Sequence, residues 1–310
     1  MEPAPVLTVT VNPALDVSAT VEYLVPDHKL DAVSHRRDPG GGGVNVARVL
    51  HRLGVSSTAW MTAGGAVGDE LVSLVTAEGI DAVAHRVEGV TRESIAISDL
   101  KANRQYRIGL RGPTVGDHRE MADAIIGLAA GVRLVVLSGG LPPGVPETFY
   151  ATICDGLGDT TTVVDAKGGV LARVVEGSAD VVKPSRRELA SLVRWVPADR
   201  GEIELAARQV LDLGSVGALA VSLGPDGALL MERDGAATWF DAPDVTVSST
   251  VGAGDSMVAG IVASLVSGAS LVDATRHGVA AGTAAVLTPG TDLCHREDVD
   301  ALVEQVRVST

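Results

Sequence analysis

Thr250-Val251-Gly252-Ala253-Gly254-Asp255-Ser256 joins a turn of small residues to an apolar helix predicted over residues 255–267, and it is the sharpest signal in the chain. Such a turn leaves N–H groups free at the positive helix end, where Gly252, Ala253 and Gly254 would stabilise the negative charge of a phosphoryl group in transfer. Asp255 would accept a proton there from an attacking hydroxyl. The alternative is an ordinary first-turn acid, which the helix dipole also favours.

A second glycine-rich turn lies nearer the N-terminus. Pro39-Gly40-Gly41-Gly42-Gly43-Val44-Asn45 leads into a helix predicted over residues 44–53. Its glycines allow a ligand to approach the backbone, and the amide of Asn45 can donate to and accept from sugar hydroxyls. Neither the P-loop nor the dinucleotide fingerprint fits, because no Gly-Lys-Ser/Thr follows and Asn45 stands where a third glycine would be needed. A flexible turn between strand and helix is the alternative.

Short apolar strands alternate with helices through most of the chain. The predicted strands cover residues 6–11, 58–62, 134–138, 162–165, 180–182 and 218–222, and residues 219–232 have the pattern of a hairpin. The other predicted helices cover residues 69–78, 120–130, 146–157, 187–193, 201–213 and 271–285. Strands separated by helices indicate right-handed crossovers, so we predict an α/β fold with a parallel sheet covered on both faces.

Two segments, residues 17–34 and 94–112, have a different pattern. Apolar and polar residues alternate there, as in Ile95, Ile97, Tyr106 and Ile108. This period of two is typical of half-exposed strands. We therefore predict a small sheet that stands off the main body.

Composition restricts the partners of the protein. Its 39 acidic and 25 basic residues give a net charge of -14, which argues against nucleic acid and anionic membranes. Cys154 and Cys294 are far apart and show no metal-ligand spacing. The N-terminus shows no secretory signal and no apolar stretch is long enough to span a bilayer, so we expect a cytoplasmic protein.

Three further segments follow predicted strands. Residues 183–188 read Lys-Pro-Ser-Arg-Arg-Glu, in which Ser185 and Glu188 have the spacing of a capping box and Glu188 is also a candidate Mg²⁺ ligand. Residues 222–227 read as a plain turn. Residues 138–144 follow a buried strand, where open α/β sheets often bind ligands.

Taken in order, these motifs resemble those of the ribokinase-like (PfkB) carbohydrate kinases over essentially the whole chain, and the resemblance is greatest to the minor bacterial 6-phosphofructokinase branch. It implies a three-layer sandwich with a mostly parallel central sheet and a small β-sheet lid. The main domain would comprise residues 1–16, 37–90 and 113–310, and the lid residues 17–36 and 91–112. The implied activity is ATP-dependent phosphorylation of fructose 6-phosphate to fructose 1,6-bisphosphate, with Mg²⁺ and K⁺ as cofactors.

The resemblance also implies a role for individual residues. Asp16, Gly41 and Asn45 would hold sugar hydroxyls, and Lys29, Arg92 and Ser138 would contact the phosphorylated substrate. ATP would be surrounded by Lys183, Ser185, Ser222, Gly224, Gly227, Val279 and Thr283, with Glu188 on Mg²⁺. A monovalent cation would lie between two loops that contain Ser249, Val251, Ala285, Thr288, Gly290 and Asp292. Paired lids would form a homodimer.

Several alternatives share most of these motifs. A tagatose-6-phosphate kinase or a 1-phosphofructokinase is the nearest, although Gly42 disfavours the latter, whose relatives tend to place a lysine within the glycine run. A nucleotide-binding regulator without turnover is a different class of protein, and the intact Gly252, Gly254 and Asp255 argue against it.

Overall fold

A ten-stranded sheet forms the centre of the fold, and the computed structural model describes residues 5–290 and 292–310. Within these residues the strands are β1 (Val6–Thr10), β2 (Ala14–Val21), β3 (Ser34–Gly40), β4 (Ser57–Ala63), β5 (Asp81–Arg86), β6 (Arg92–Asp99), β7 (Arg104–Gly109), β8 (Leu134–Ser138), β9 (Thr161–Asp165), β10 (Val181–Val182), β11 (Ala218–Ser222), β12 (Ala228–Glu232), β13 (Ala237–Asp241) and β14 (Arg307–Ser309). The order in the large sheet is β14-β13-β12-β11-β10-β9-β8-β1-β4-β5. In this spatial order, the strands from β11 through to β5 are parallel to one another. Strands β12, β13 and β14 add an antiparallel edge.

Helices cover both faces of this sheet. They are α1 (Gly42–Arg52), α2 (Gly65–Ala77), α3 (His118–Leu128), α4 (Phe149–Gly156), α5 (Gly168–Val175), α6 (Arg186–Val193), α7 (Arg200–Leu211), α8 (Ala253–Val266), α9 (Leu271–Ala285) and α10 (Arg296–Val303). Alternate residues of β8 face the two layers: Val135 and Leu137 pack in the cluster of α3 to α7, whereas Leu134 and Val136 pack in the cluster of α1, α8, α9 and α10. The predicted three-layer α/β sandwich is confirmed. None of the described helices is both long and apolar enough to cross a membrane.

The second sheet is the predicted lid sheet. Its order is β3-β2-β6-β7, with β2 parallel to β6 and the two outer pairs antiparallel. Residues 22–33 do not continue the strand, since Pro26 lacks an N–H and Asp27 has a left-handed φ of 62°. Strands β2 and β3 extend across residues 16 and 36, at which the predicted boundaries of the lid lie. The division into two domains stays a prediction.

Several elements were not predicted from the sequence. Helices α5 and α10 are only eight residues long, too short to show a clear helical period. Strands β5 and β14 lie at the two sheet edges, and their residues are half-buried or exposed. Edge strands of this kind lack the continuous apolar run that marks a central strand.

Candidate active site

The carboxyl ends of neighbouring parallel strands bring the polar motifs together. Strands β8 and β9 end at Ser138 and Asp165, Lys183 follows β10, and β11 ends at Ser222. These four strands are consecutive in the sheet, so their ends form one edge. Open α/β sheets bind ligands at such an edge. We therefore take this edge as the candidate site.

Asn45 and Asp255 meet at this edge although 210 positions separate them. Asn45 Nδ2 donates to Asp255 Oδ2 at 2.7 Å, which joins the first turn of α1 to that of α8. The pKa of Asp255 is raised to about 7, mainly by burial and to a smaller extent by repulsion from Asp165. The bond from Asn45 and the charge of Lys183 offset part of this rise. Asp255 is a carboxyl group that exchanges protons near neutral pH.

The turn before α8 depends on glycine. Gly252 caps the helix with a left-handed φ of 76°, and a Cβ atom at this position would lie 2.6 Å from Leu293 Cδ2. The left-handed conformation therefore favours glycine, and any side chain here would also displace the end of Leu293. With Gly252 in this conformation α8 starts at Ala253, and Asp255 lies in its first turn. The free N–H groups of that turn form the positive end of the helix.

Lys183 and Asp165 form a buried ion pair beside this turn. Lys183 Nζ lies 3.2 Å from Asp165 Oδ1, and the two side chains are 5% and 17% exposed. Burial raises the pKa of Asp165. Burial by itself would lower the pKa of Lys183, but the carboxylates around it, Asp165 foremost, raise it. A Cβ atom on Gly254 would lie 3.7 Å from Lys183 Nζ, so the ammonium group borders the start of α8.

The glycine run packs tightly against the ends of β1 and β8. A Cβ atom on Gly42 would lie 2.2 Å from Ser138 Oγ, a buried oxygen without a hydrogen-bond partner among the described residues. Gly41 has a φ of 111°, which favours glycine. The buried Arg48 holds the start of the run, because it donates to the Pro39 carbonyl at 3.1 Å and pairs with Glu78 at 2.7 Å.

Asp16 and Arg92 approach the site from the lid sheet. Burial raises the pKa of Asp16, while a hydrogen bond from Ser94 and the charges of Arg107 and Arg92 oppose the rise. A Cβ atom on Gly40 would lie 2.2 Å from Asp16 Oδ2, so Asp16 touches the glycine run directly. The pairing of β2 with β3 and β6 thus positions an acid of the lid sheet against the glycine run.

Residues around β11 and α6 form the loop region predicted to surround a nucleotide. Glu188 Oε2 accepts from Ser185 N and from Ser185 Oγ, each at 2.8 Å, which confirms the capping box. The backbone of Ser185 pairs with that of Ser222 in an isolated parallel β-bridge. In the turn that follows Ser222, Gly224 and Gly227 have left-handed φ values of 65° and 91°. The turn after β11 therefore lies next to the start of α6.

Helix α9 and two loops complete the predicted set. Thr283 Oγ1 donates to the Val279 carbonyl at 2.8 Å, so both residues lie on one buried face of α9. Ser249 Oγ donates to the Gly290 carbonyl at 2.8 Å, and Thr288 Oγ1 donates to the Asp292 carbonyl at 2.9 Å. The two predicted cation loops are therefore adjacent, with Val251 in one and Ala285 at the start of the other.

Comparison with known proteins decides the family. The family described as pfkB family carbohydrate kinase matches residues 10–298. The chain belongs to this family. It is 40% identical over 303 residues to the ATP-dependent 6-phosphofructokinase isozyme 2 of Mycobacterium tuberculosis, covering 96% of this chain and 89% of the relative. It is 28% identical over 305 residues to the 1-phosphofructokinase of Borreliella burgdorferi, covering 98% of each. The crystal structure of phosphofructokinase-2 from Escherichia coli in complex with potassium matches with a TM-score of 0.90 and 32% identity, covering 97% of this chain and 99% of that one.

Two further residues of this PfkB kinase bear on the sequence-based site. Lys29 lies in an exposed segment between β2 and β3, and its contact with the substrate stays a prediction. Asp165, in contrast, belongs to the site but was not selected from the sequence. An acid that ends a buried apolar strand was the signal available for it. The predicted membership of the sugar kinases is confirmed.

Proposed function

We propose that this PfkB kinase transfers a phosphoryl group from ATP to a hydroxyl of a phosphorylated ketohexose, with fructose 6-phosphate as substrate and fructose 1,6-bisphosphate as product. The observation that carries the proposal is the Asp255 carboxyl group, held by Asn45 at the amino end of α8, with its pKa raised to about 7. A base of this pKa at a positive helix end suits proton removal from an attacking hydroxyl. The name of the mycobacterial relative supports the choice of sugar.

In this proposal each residue has a defined task. Asp255 takes the proton of the sugar hydroxyl as its oxygen attacks the terminal phosphorus of ATP. Asn45 keeps the carboxylate oriented through its bond of 2.7 Å. Lys183 and the N–H groups of the first turn of α8 stabilise the charge on the transferred group. Asp16 binds a second hydroxyl of the sugar, and ADP leaves with the bond electrons.

The described residues also fit the proposed cofactors. Glu188 uses Oε2 in the capping box, and its Oε1 has no hydrogen-bond partner among the described residues, so it is available to Mg²⁺. Mg²⁺ would neutralise phosphate charge. Within those residues no cluster of three or more His, Cys, Asp or Glu side chains occurs, so most ligands of Mg²⁺ would come from ATP and water. Hydroxyl and carbonyl oxygens line the two adjacent loops, which suits K⁺. We place this activity in the cytoplasm.

A coupled ADP-release assay over several sugars tests the proposal. We expect kcat/KM for fructose 6-phosphate to exceed that for fructose by at least about 10²-fold, because charge-assisted hydrogen bonds to a phosphate are roughly twice as strong as neutral ones. A higher value for fructose 1-phosphate or tagatose 6-phosphate would change the sugar but keep the kinase. If none of these sugars causes ADP release, the result would favour a nucleotide-binding regulator without turnover.

We also propose that two lids pack together in a homodimer. On the lid face opposite Asp16, Ile95 pairs with Ile108 and Ile97 with Tyr106. Ile108 and Tyr106 are 51% and 44% exposed. Such an apolar sheet face with free edges favours association, and a second copy of the same face would cover it.

Replacing Ile97 by aspartate tests this assembly. We expect a monomer whose KM for the sugar phosphate rises at least about tenfold, because closure of the lid over the sugar would be lost. The KM for ATP should change little, since the nucleotide loops lie on the main sheet. Leu128→Asp, at an exposed position of α3, is the matched control. Light scattering that finds a monomeric wild-type protein, or a monomeric Ile97→Asp variant with full activity, would contradict the lid interface.

A further inference from the structure

A cavity of about 460 Å³ lies where the lid sheet meets the loop after β8. Its wall includes Asn12, Arg92, Arg111, Gly112, Leu141 and Pro142. Two arginines line it, and none of the described residues in its wall carries a carboxylate. In a chain with a net charge of -14, this arrangement concentrates positive charge at one place. Guanidinium groups in a concave surface fit a planar or tetrahedral oxyanion.

Arg92 is already fixed within this cavity. Its Nε and Nη2 donate to the Asn12 carbonyl at 3.3 and 3.2 Å. Burial lowers the pKa of Arg92, and the charge of Asp16 only partly opposes this effect. A cation that is partly buried with one neutral carbonyl as its acceptor gains stability when an anion binds.

Arg111 supplies the second charge of the cavity. It is exposed, and among the described residues it has neither an ion pair nor a hydrogen bond. The chain beside it touches Arg92, because a Cβ atom on Gly112 would lie 3.7 Å from Arg92 Cδ. When Arg111 binds a ligand, its side chain therefore gives up no hydrogen bond or ion pair to any residue that the structure describes.

We propose that Arg111 acts with Arg92 to bind the phosphate group of the sugar substrate and so determines the preference for phosphorylated sugars. This inference rests on the proposed function and adds to it a residue from the end of the lid. Two guanidinium groups can each donate two N–H groups to one phosphate. A lysine would supply only a point charge, so the planar fork matters.

The test compares Arg111→Ala with Arg119→Ala. Arg119 is an exposed arginine of α3 without an ion pair among the described residues, so both variants lose one positive charge. We expect Arg111→Ala to lower kcat/KM for fructose 6-phosphate by about 10- to 100-fold, as for loss of a hydrogen bond to a charged group. Its kcat/KM for fructose and its KM for ATP should stay unchanged. Arg111→Lys should fall between it and the wild type. An Arg111→Ala variant with unchanged preference for fructose 6-phosphate would overturn the proposal.

A binding measurement separates this inference from the proposed function. Inorganic phosphate is titrated into the wild type and both variants by calorimetry, which needs no turnover. At least about tenfold weaker binding in Arg111→Ala, with normal binding in Arg119→Ala, supports the anion site even if no sugar is phosphorylated. Equal phosphate affinity in the three proteins overturns it, even if the wild type is an active 6-phosphofructokinase.

Discussion

Replacing Asp255 by asparagine should lower kcat for sugar phosphorylation by at least about 10²-fold, because general-base catalysis contributes at least that factor. Asparagine keeps the size of the side chain and can still accept the hydrogen bond from Asn45. The N–H groups at the start of α8 remain, so the affinity for ATP should change little. Asp123→Asn, on the exposed surface of α3, is the matched control and should keep full activity.

The pH dependence gives a second measure of the same residue. The raised pKa of Asp255, about 7, means that the carboxylate needed as a base forms only as the pH rises through that value. We expect kcat/KM to rise about tenfold per pH unit below this pKa and to level off above it. The residual activity of Asp255→Asn should lack this acid limb. Near-normal turnover in the folded Asp255→Asn variant would show that Asp255 is not the base. The same conclusion would follow if the pH profile of that variant kept the acid limb of the wild type.

Replacing Lys183 by methionine should be the most destabilising of these substitutions. It removes the cation next to Asp165 in a site where the lysine side chain is 5% exposed. Loss of one partner of a buried ion pair typically costs about 3–5 kcal/mol, and we expect this loss in the free energy of unfolding. Because the charge of Lys183 lowers the pKa of Asp255, the acid limb of kcat/KM should also move to higher pH. The kcat itself should fall about 10²-fold with the lost charge stabilisation.

The double variant Lys183→Met/Asp165→Asn is the control for this prediction. It removes both charges of the pair, so urea unfolding should show that part of the lost stability returns. The catalytic defect should remain, because the cation next to α8 is still absent. A Lys183→Met protein with wild-type stability and an unshifted acid limb would show that the pair has neither role.

Local sequence patterns predicted the parts of the site that depend on a single turn. The position of Asp255 in the first turn of α8, the glycine run before Asn45 and the capping box of Ser185 each follow from neighbouring residues. The α/β class followed from the alternation of strands and helices. These features are local, so propensity and capping chemistry are sufficient to predict them.

Contacts between distant segments were beyond the sequence patterns. The ion pair of Asp165 with Lys183 needs β9 next to β10, and the parallel pairing of β2 with β6 needs the strand order of the lid. Arg48 reads as an ordinary residue of an amphipathic helix, yet it is buried against Glu78 and the Pro39 carbonyl. Strand order and buried polar pairing depend on the whole fold, which no short window contains.

Phosphoryl transfer that depends on Asp255 can be tested by following a labelled phosphoryl group from ATP to the sugar. Wild-type protein, Asp255→Asn and Asp123→Asn are incubated with Mg²⁺, fructose 6-phosphate and ATP that carries a label on its terminal phosphate, and the products are separated. We expect labelled fructose bisphosphate from the wild type and from Asp123→Asn, and at least about 10²-fold less from Asp255→Asn. Label that stays on ATP in the wild type, or equal transfer by the three proteins, would contradict this expectation.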